Sequence, residues 1–512
     1  MGLVLFIVGI IGWHVGIYGL FKKNGLTAWK AFIPFYNTWI IVEQCKLKKI
    51  WFWLQLVPIA GQFITIWITI IYVMHFGKVN LIDHTLLTLV PFIYLPYIGF
   101  NDKVKWGGEK IFKLYKKPVS REWIDAGVFA VVAATIIRTF VFEAYVIPTG
   151  SMEKTLLVHD FLFVSKMNYG PRIPTTPLSF PFVHNTMPLS ETTISYTKLI
   201  QLPYKRIKGW EEVKNNDVVV FNFPAGDTII NLPGYGSAHT YYEVVREIGR
   251  EATWQQFGEN IIVHPYDKTD NYIKRCVAIG GDTIEVKYGS LFVNGKKAYV
   301  APNAQTTYIV RTNGTPLDFD VLKNEYGVEV RRDEKTEEYH NYLQQIFAQY
   351  KYYPMELSEA DIEALKKIPS ITAIEASVTP QNSIDEAVKL FPYFDSVHSA
   401  SIDNYPKVYI PKKGATVTLT KENLILYERL ITVYEHHSLE KRGDEFIIDG
   451  KPTNQYTFQY NYYWMMGDSR HNSQDSRFWG FVPETHIVGK ASMIWFSWDN
   501  GPRWKRLFSF IK

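Results

Sequence analysis

The sequence predicts a mainly β protein: an antiparallel β-sheet domain with an inserted accessory α+β subdomain, anchored by about four N-terminal transmembrane helices. Three observations predict it. Long uncharged stretches crowd the first 150 residues. Beyond them, short apolar runs alternate with period two between turn residues. A charge-rich tract at 301–439 carries helical spacing instead. The 512 residues suggest about three folding units. A hydrophobic share of 47% excludes disorder and collagen-like repeats. Lysine and arginine total 55 against 50 acidic residues, a formal +5 that is too mild to point to nucleic acid. Cys45 and Cys276 are the two cysteines, which excludes a disulfide scaffold and a CxxC zinc site. No metal and no cofactor is expected.

A membrane-crossing helix needs about 20 mainly apolar residues. Residues 2–21 qualify, with no charge before Lys22 and Lys23. The charges follow the apolar core, which argues against a cleaved signal peptide. Residues 50–77 give a second span, and 84–101, with Pro91 and Pro96, a third. The last runs from Trp123 to Phe142, with Asp125 at its start and Arg138 able to snorkel at its end. Residues 28–42, interrupted by Lys30 and Pro34, read as an interfacial helix. Lysine and arginine bias sets the sidedness. Segments 22–49 and 103–121 are basic and read as cytoplasmic, whereas 78–83 is short and nearly neutral. Both termini then lie outside. Residues 1–122 form the membrane region of three spans, interfacial helix and basic loops, and 123–143 the final transmembrane helix. Residues 144–300 and 440–512 form the two parts of the β domain, on the extracytoplasmic side, around an insertion at 301–439.

In the β domain, DVVVFNF (217–223), TIEVK (283–287) and EFII (445–448) read as strands. Asn294-Gly295 and Asp449-Gly450 are hairpin-turn signals. Within the insertion, 333–349 and 358–367 read as helices, the second opened by a capping box from Ser358 to Asp361.

Three segments carry chemistry. In IPTGSMEKTL (147–156), Pro148 and Gly150 force a tight turn around Ser151. Taken alone, a serine there is an ordinary turn residue. In NYIKRCVAIGGDTIEV (271–286), alternation puts Lys274 on one face with Cys276 and Ala278. A buried lysine must find a partner or lose its charge; the plain alternative is a lysine on a solvated face. MMGDSRHNSQDSRFWGFVPETHIVGKA (465–491) is a dense polar loop able to satisfy itself, for instance through Asp475 and Arg477. His471 near Asp468 leaves a Ser–His–Asp arrangement conceivable, though nothing in the sequence sets that histidine opposite Ser151.

Together and in this order, these segments and DVVVFNFP resemble the signature boxes of bacterial type I signal peptidases, the membrane-bound leader peptidases. The likeness covers roughly 140–300 and 440–495. It departs at Asn215-Asn216, where the family commonly has Arg-Gly, and at Ser469 and His471. The resemblance implies a serine–lysine endopeptidase that removes signal peptides from exported preproteins after a small-x-small site. Ser151 would be the nucleophile and Lys274 the neutral general base. Lowering a lysine from about 10.4 to about 8 takes roughly 3 kcal/mol, which burial can supply. Thr149 matches the position whose hydroxyl, with the Ser151 N–H, forms the oxyanion hole. Ser473 matches the serine that orients the lysine. Gly467, Asp468, Asp475 and Arg477 match structural positions at the site. Ile147, Met152, Leu156, Tyr272 and Ile273 match pocket-lining positions, each with a plainer role in the core. Substrate would add as a β-strand between 144–150 and 271–273. The implied partners are preproteins, the lipid bilayer and, as a candidate, the export machinery. The implied location is the bacterial inner membrane, multi-pass, with the β domain on the periplasmic side. Two other readings are a non-catalytic membrane scaffold of the same fold and a self-cleaving repressor-type protease. The second needs a DNA-binding head where this chain has membrane segments.

Overall fold

A computed structural model describes residues 2–511 except 58–59, 116–117, 191, 238, 332–334, 382–388, 394–399 and 444. The side chains of 2–6, 60, 113–114 and 120–121 also lie outside the description. Lys116, Lys117 and the Arg121 side chain, counted above in the basic loop, fall there, as does the start of the helix expected from 333. The chain divides into two compact units, 1–140 with 173–203, and 141–172 with 204–512.

In the first unit, helix Gly2–Lys23 packs along helix Pro91–Phe100. Contact is close because glycines face it. A Cβ added at Gly16 would meet Leu95 Cβ at 2.3 Å, and one at Gly19 the Gly99 carbonyl oxygen at 2.8 Å. Small residues let apolar helices approach in this way. Among the described residues one helix, Glu122–Phe140, is long and apolar enough to cross a membrane; Gly61–Met74 and Pro91–Phe100 are apolar but shorter. The expected second and third spans are not continuous helices. The second is divided into Ile50–Leu54 and Ala60–Met74. The third is divided into Leu81–Leu89 and Pro91–Phe100 at Val90, whose φ of −135° and ψ of 53° lie outside the helix. The ring of Pro91 disfavours helical geometry in the residue before it, although Leu95 stays helical before Pro96 within the second helix. The interfacial segment likewise is a short turn, Ala28–Phe32, and a helix, Tyr36–Gln44, separated at Pro34.

The second unit is built on an antiparallel sheet. Its order is Phe142–Val146, Asp160–Ser165, Ile487–Ser497, Val218–Asn222, Asn271–Ala278, Tyr462–Met466 and Val482–Pro483. Val218–Asn222 is buried on both faces, because alternate residues enter two cores. Val218 and Val220 join Ile147, Met152 and Leu156; Val219 and Phe221 join Cys276 and Met465. The hairpin signals hold: Asn294, Gly295, Asp449 and Gly450 all have positive φ, as a two-residue turn between tight strands requires.

Residues within 306–376 form a separate α+β unit. Its three-stranded sheet, Tyr352–Leu357, Thr306–Thr312, Ile371–Ala376, is covered by helices that include Phe319–Tyr326 and Thr336–Tyr350. Helix Glu359–Leu365 opens with the capping box anticipated at Ser358 and Asp361. The expected insertion ran on to 439, but strand Tyr405–Tyr409 pairs with Thr283–Lys287. Composition marks a charge-rich stretch, and strand pairing decides which sheet it joins.

Candidate active site

Strand Phe142–Val146 ends where Ile147 donates to the Asp160 carbonyl and accepts from the His159 N–H, each at 2.9 Å. Pro148 has no N–H for the ladder, and the chain enters the single turn Gly150–Met152. Ile147 on one side, Met152 and Leu156 on the other, are buried in one apolar cluster and anchor the turn. Ser151 sits between these anchors, 8% exposed.

Lys274 lies on strand Asn271–Ala278, directly opposite Val219 and 4% exposed. Its Nζ is 2.7 Å from Ser151 Oγ. The Tyr272 ring lies 5.4 Å from the same nitrogen. Among the described residues no carboxylate is within ion-pair distance of it. Burial lowers the Lys274 ammonium from 10.5 to about 8, against the smaller opposing pull of Asp475 and Asp468. Roughly a tenth of the amines are then neutral at pH 7. A neutral amine 2.7 Å from a hydroxyl can accept its proton.

The loop after strand Tyr462–Met466 closes over this pair. Gly467 has no space for a side chain: a Cβ would meet Ser473 Oγ at 2.2 Å and the Ser151 carbonyl oxygen at 2.6 Å. Ser469 N–H donates to Ser151 O at 3.1 Å, and Asp468 N–H to Met152 Sδ at 3.4 Å. Asp475 accepts two hydrogen bonds from the Arg477 guanidinium, at 2.9 and 2.8 Å, and one from Gly467 N–H at 3.1 Å. Burial alone would raise the Asp475 carboxyl, but Arg477 holds it below its ordinary value.

The expected site residues divide clearly. Ser151, Lys274, Gly467, Asp468, Asp475 and Arg477 converge. Ser473 is buried nearby, but its hydroxyl lies against Gly467 and makes no hydrogen bond to Lys274; among the described residues it has no partner. Thr149 is extended and exposed, and its hydroxyl has no hydrogen-bond partner among the described residues. Ile147, Met152 and Leu156 are core, whereas Tyr272 and Ile273 keep partial exposure. Tyr272 stacks on Phe223 with ring centroids 4.7 Å apart. His471 points away from the serine: its Nε2 is 2.9 Å from Asp403, and its Nδ1 accepts from Thr307 N–H at 3.1 Å. A Ser–His–Asp reading therefore lacks its histidine.

Sequence reasoning missed Arg275. Alternation sends it to the opposite face from Lys274, where it is buried and holds Asp468 through two bonds, 2.8 and 2.7 Å. Thr155 Oγ1 donates to the same carboxylate at 2.7 Å. Arg275 Nη1 also donates to the Asn216 carbonyl at 2.7 Å, and Asn216 has φ +77°. That explains why asparagine can replace glycine there, since its short polar side chain tolerates the left-handed region. A buried arginine needs a carboxylate, and that need was the available signal.

Among the described residues, two stretches beside the site have a strand partner on one side only. Phe142–Val146 is an edge strand, paired on one side with Asp160–Ser165. On strand Asn271–Ala278, residues 271–274 pair with 219–222, while Tyr462–Met466 reaches only 275–278. Among the described residues no group of three or more His, Cys, Asp or Glu is arranged to hold a metal.

A family model described as signal peptidase, peptidase S26, matches residues 120–355 and 403–498. A second, a family of unknown function (DUF5684), matches residues 29–109. Among curated relatives, signal peptidase I of Haemophilus influenzae is 27% identical over 76% of this chain and 75% of its own length. Signal peptidase I of Buchnera aphidicola subsp. Schizaphis graminum is 23% identical over 73% of this chain and 76% of its own. Signal peptidase I P of Bacillus subtilis subsp. natto is 27% identical over 42% of this chain and 72% of its own.

Proposed function

The chain belongs to the signal peptidase family, peptidase S26, and from that premise we propose that Ser151 and Lys274 are the nucleophile and base with which it cuts signal peptides from preproteins. The observation that carries this is the 2.7 Å contact between a buried amine and a buried hydroxyl. A scaffold that only kept the fold has no use for a desolvated lysine.

In the proposed reaction, Lys274 takes the Ser151 proton as Oγ attacks the scissile carbonyl, and the ammonium later hands that proton to the leaving amine. Water then attacks the acyl-enzyme, with the same amine as base. The oxyanion falls to the Ser151 N–H and the Thr149 hydroxyl, a donor worth about 3–4 kcal/mol in the transition state. Thr149 suits this because its exposed hydroxyl has no hydrogen-bond partner among the described residues. Ser473 is the orienting group, its buried hydroxyl likewise without a partner among them. Asp475 and Arg477 fix the loop, and Gly467 lets it pass.

The preprotein is read as an extended strand between 144–150 and 271–273, supported by the edge position of Phe142–Val146 and by the stretch 271–274 that Tyr462–Met466 does not reach. Tyr272 and Ile273, which keep partial exposure, are read as lining the shallow pockets that select small residues, with Ile147, Met152 and Leu156 behind them in the core. Secretory signals carry their cleavage site just beyond an apolar segment. Ser151 comes eleven residues after the apolar helix Glu122–Phe140 ends. Four spans, the inner membrane of a bacterium, a periplasmic β domain and neighbouring lipid and export machinery complete the reading; the basic segments 22–49 and 103–121 support it. The accessory insertion is read within 301–439.

One experiment tests reaction and sidedness together. Sealed right-side-out vesicles bearing the protein should cleave an added labelled preprotein after its small-x-small site. Inverted vesicles should do so only once detergent opens them, and Ser151→Ala vesicles under neither condition. Cleavage by intact inverted vesicles would reverse the topology, and cleavage by Ser151→Ala would remove the nucleophile.

A further inference from the structure

The α+β unit within 306–376, together with the segment 303–305 that leads into it, touches both sides of the candidate site. On the serine side, Lys154 forms an ion pair with Asp361. Asn303 Nδ2 donates to the Lys154 carbonyl at 3.3 Å, and Arg331 lies 3.6 Å from Glu153. On the loop side, Gln305 N–H donates to Asp468 O, and Arg470 N–H to Gln305 O, both at 2.8 Å. Ser469 Oγ donates to Glu356 at 2.6 Å. Thr307 and Glu356 are opposite each other on paired strands, so this rung grips Ser469 and His471 at once.

Two features show that these contacts impose geometry. Lys154 has φ +66°, a left-handed conformation that is unfavourable for a lysine and persists only where its surroundings fix it. Its partner Asp361 is immobilised, because Ser358 donates to the same oxygen through N–H at 2.7 Å and through Oγ at 2.6 Å. A rigid helix start therefore holds the residue three positions beyond Ser151.

We infer that this α+β unit is a clasp that keeps the serine turn in register with the 467–473 loop, with Asp361 and Glu356 as positioning residues for the Ser151–Lys274 pair. The inference rests on the dyad reading above. Neither carboxylate touches Ser151 or Lys274; each acts through the segment it holds. A misplacement of about 1 Å at reacting atoms can cost about a hundredfold in rate.

The test uses the full solubilised chain and one labelled preprotein. Asp361→Asn, which removes the charge of the ion pair, and Glu356→Met, which removes the acceptor of the Ser469 hydroxyl at similar volume, should each lower kcat about tenfold or more with KM within about twofold. Lys154→Met should match Asp361→Asn, and the double variant should be no worse than either single. Lys154→Arg, which keeps the ion pair, should retain near-normal kcat. Normal kcat in Asp361→Asn and Glu356→Met, or multiplied losses in the Lys154→Met/Asp361→Asn double variant, would overturn the clasp. Ser151→Ala in the same assay separates the two readings: activity there would overturn the dyad, whereas its loss beside unaffected clasp variants would overturn the clasp alone.

Discussion

Lys274→Met is expected to lose preprotein cleavage by a thousandfold or more and to gain stability. The loss follows from removing the one group, among the described residues, that lies 2.7 Å from Ser151 Oγ and can take its proton; a general base contributes about 10²–10⁴ in rate, and the serine is a weak nucleophile without one. The gain follows from the same burial. The Lys274 ammonium is lowered from 10.5 to about 8, so below pH 8 the folded protein carries a desolvated charge that the unfolded chain does not. A difference of that size is about 3 kcal/mol. Between about pH 8 and 10.5 the unfolded chain binds the extra proton, and stability of the natural protein rises with pH. Methionine fills the space without charge. The unfolding midpoint of Lys274→Met should exceed that of the natural protein at pH 7, with the advantage vanishing above about pH 10.5. A less stable variant at pH 7 would mean the lysine is a satisfied structural group.

Gly467→Ala should lower kcat at least a hundredfold while the β domain stays folded. The added Cβ would lie 2.2 Å from Ser473 Oγ, 2.5 Å from Ser473 Cβ and 2.6 Å from the Ser151 carbonyl oxygen. Separations below 3 Å cannot be kept, and the last atom is backbone, so the serine turn itself must move. A shift there separates Oγ from Nζ, and the proton transfer is steeply sensitive to that distance. Steady-state kinetics on a labelled preprotein checks it: a fall in kcat is expected, and unchanged kcat would mean the loop yields instead of the turn.

Much of the site was legible because its chemistry forces local sequence choices. Pro148 and Gly150 around Ser151 announce a turn, whereas a lysine among Ile273, Cys276 and Val277 leaves burial and a solvated face both open until the motifs are taken together. The turns at Asn294-Gly295 and Asp449-Gly450, and the capping box at Ser358, are equally local. What escaped was long-range. Nothing near Arg275 in sequence names Asp468 as its partner, nearly two hundred residues on. Strand Tyr405–Tyr409 carries no mark of the sheet it joins. The apolar runs near Val90 were long enough for spans, but length does not show where a proline divides a helix. Ser473 lies beside Gly467, yet the bond to Lys274 expected of its hydroxyl is not made, and it depends on a rotamer that composition cannot reveal.

The central claim is that burial leaves Lys274 free to act as a base, and the pH dependence of kcat/KM for preprotein cleavage tests it most directly. The account predicts a single ascending limb of unit slope with its midpoint at about pH 8, and activity at pH 6 about a hundredfold below the plateau. Activity that stays flat down to about pH 5, or a limb centred near the histidine value of about 6.5, would contradict it.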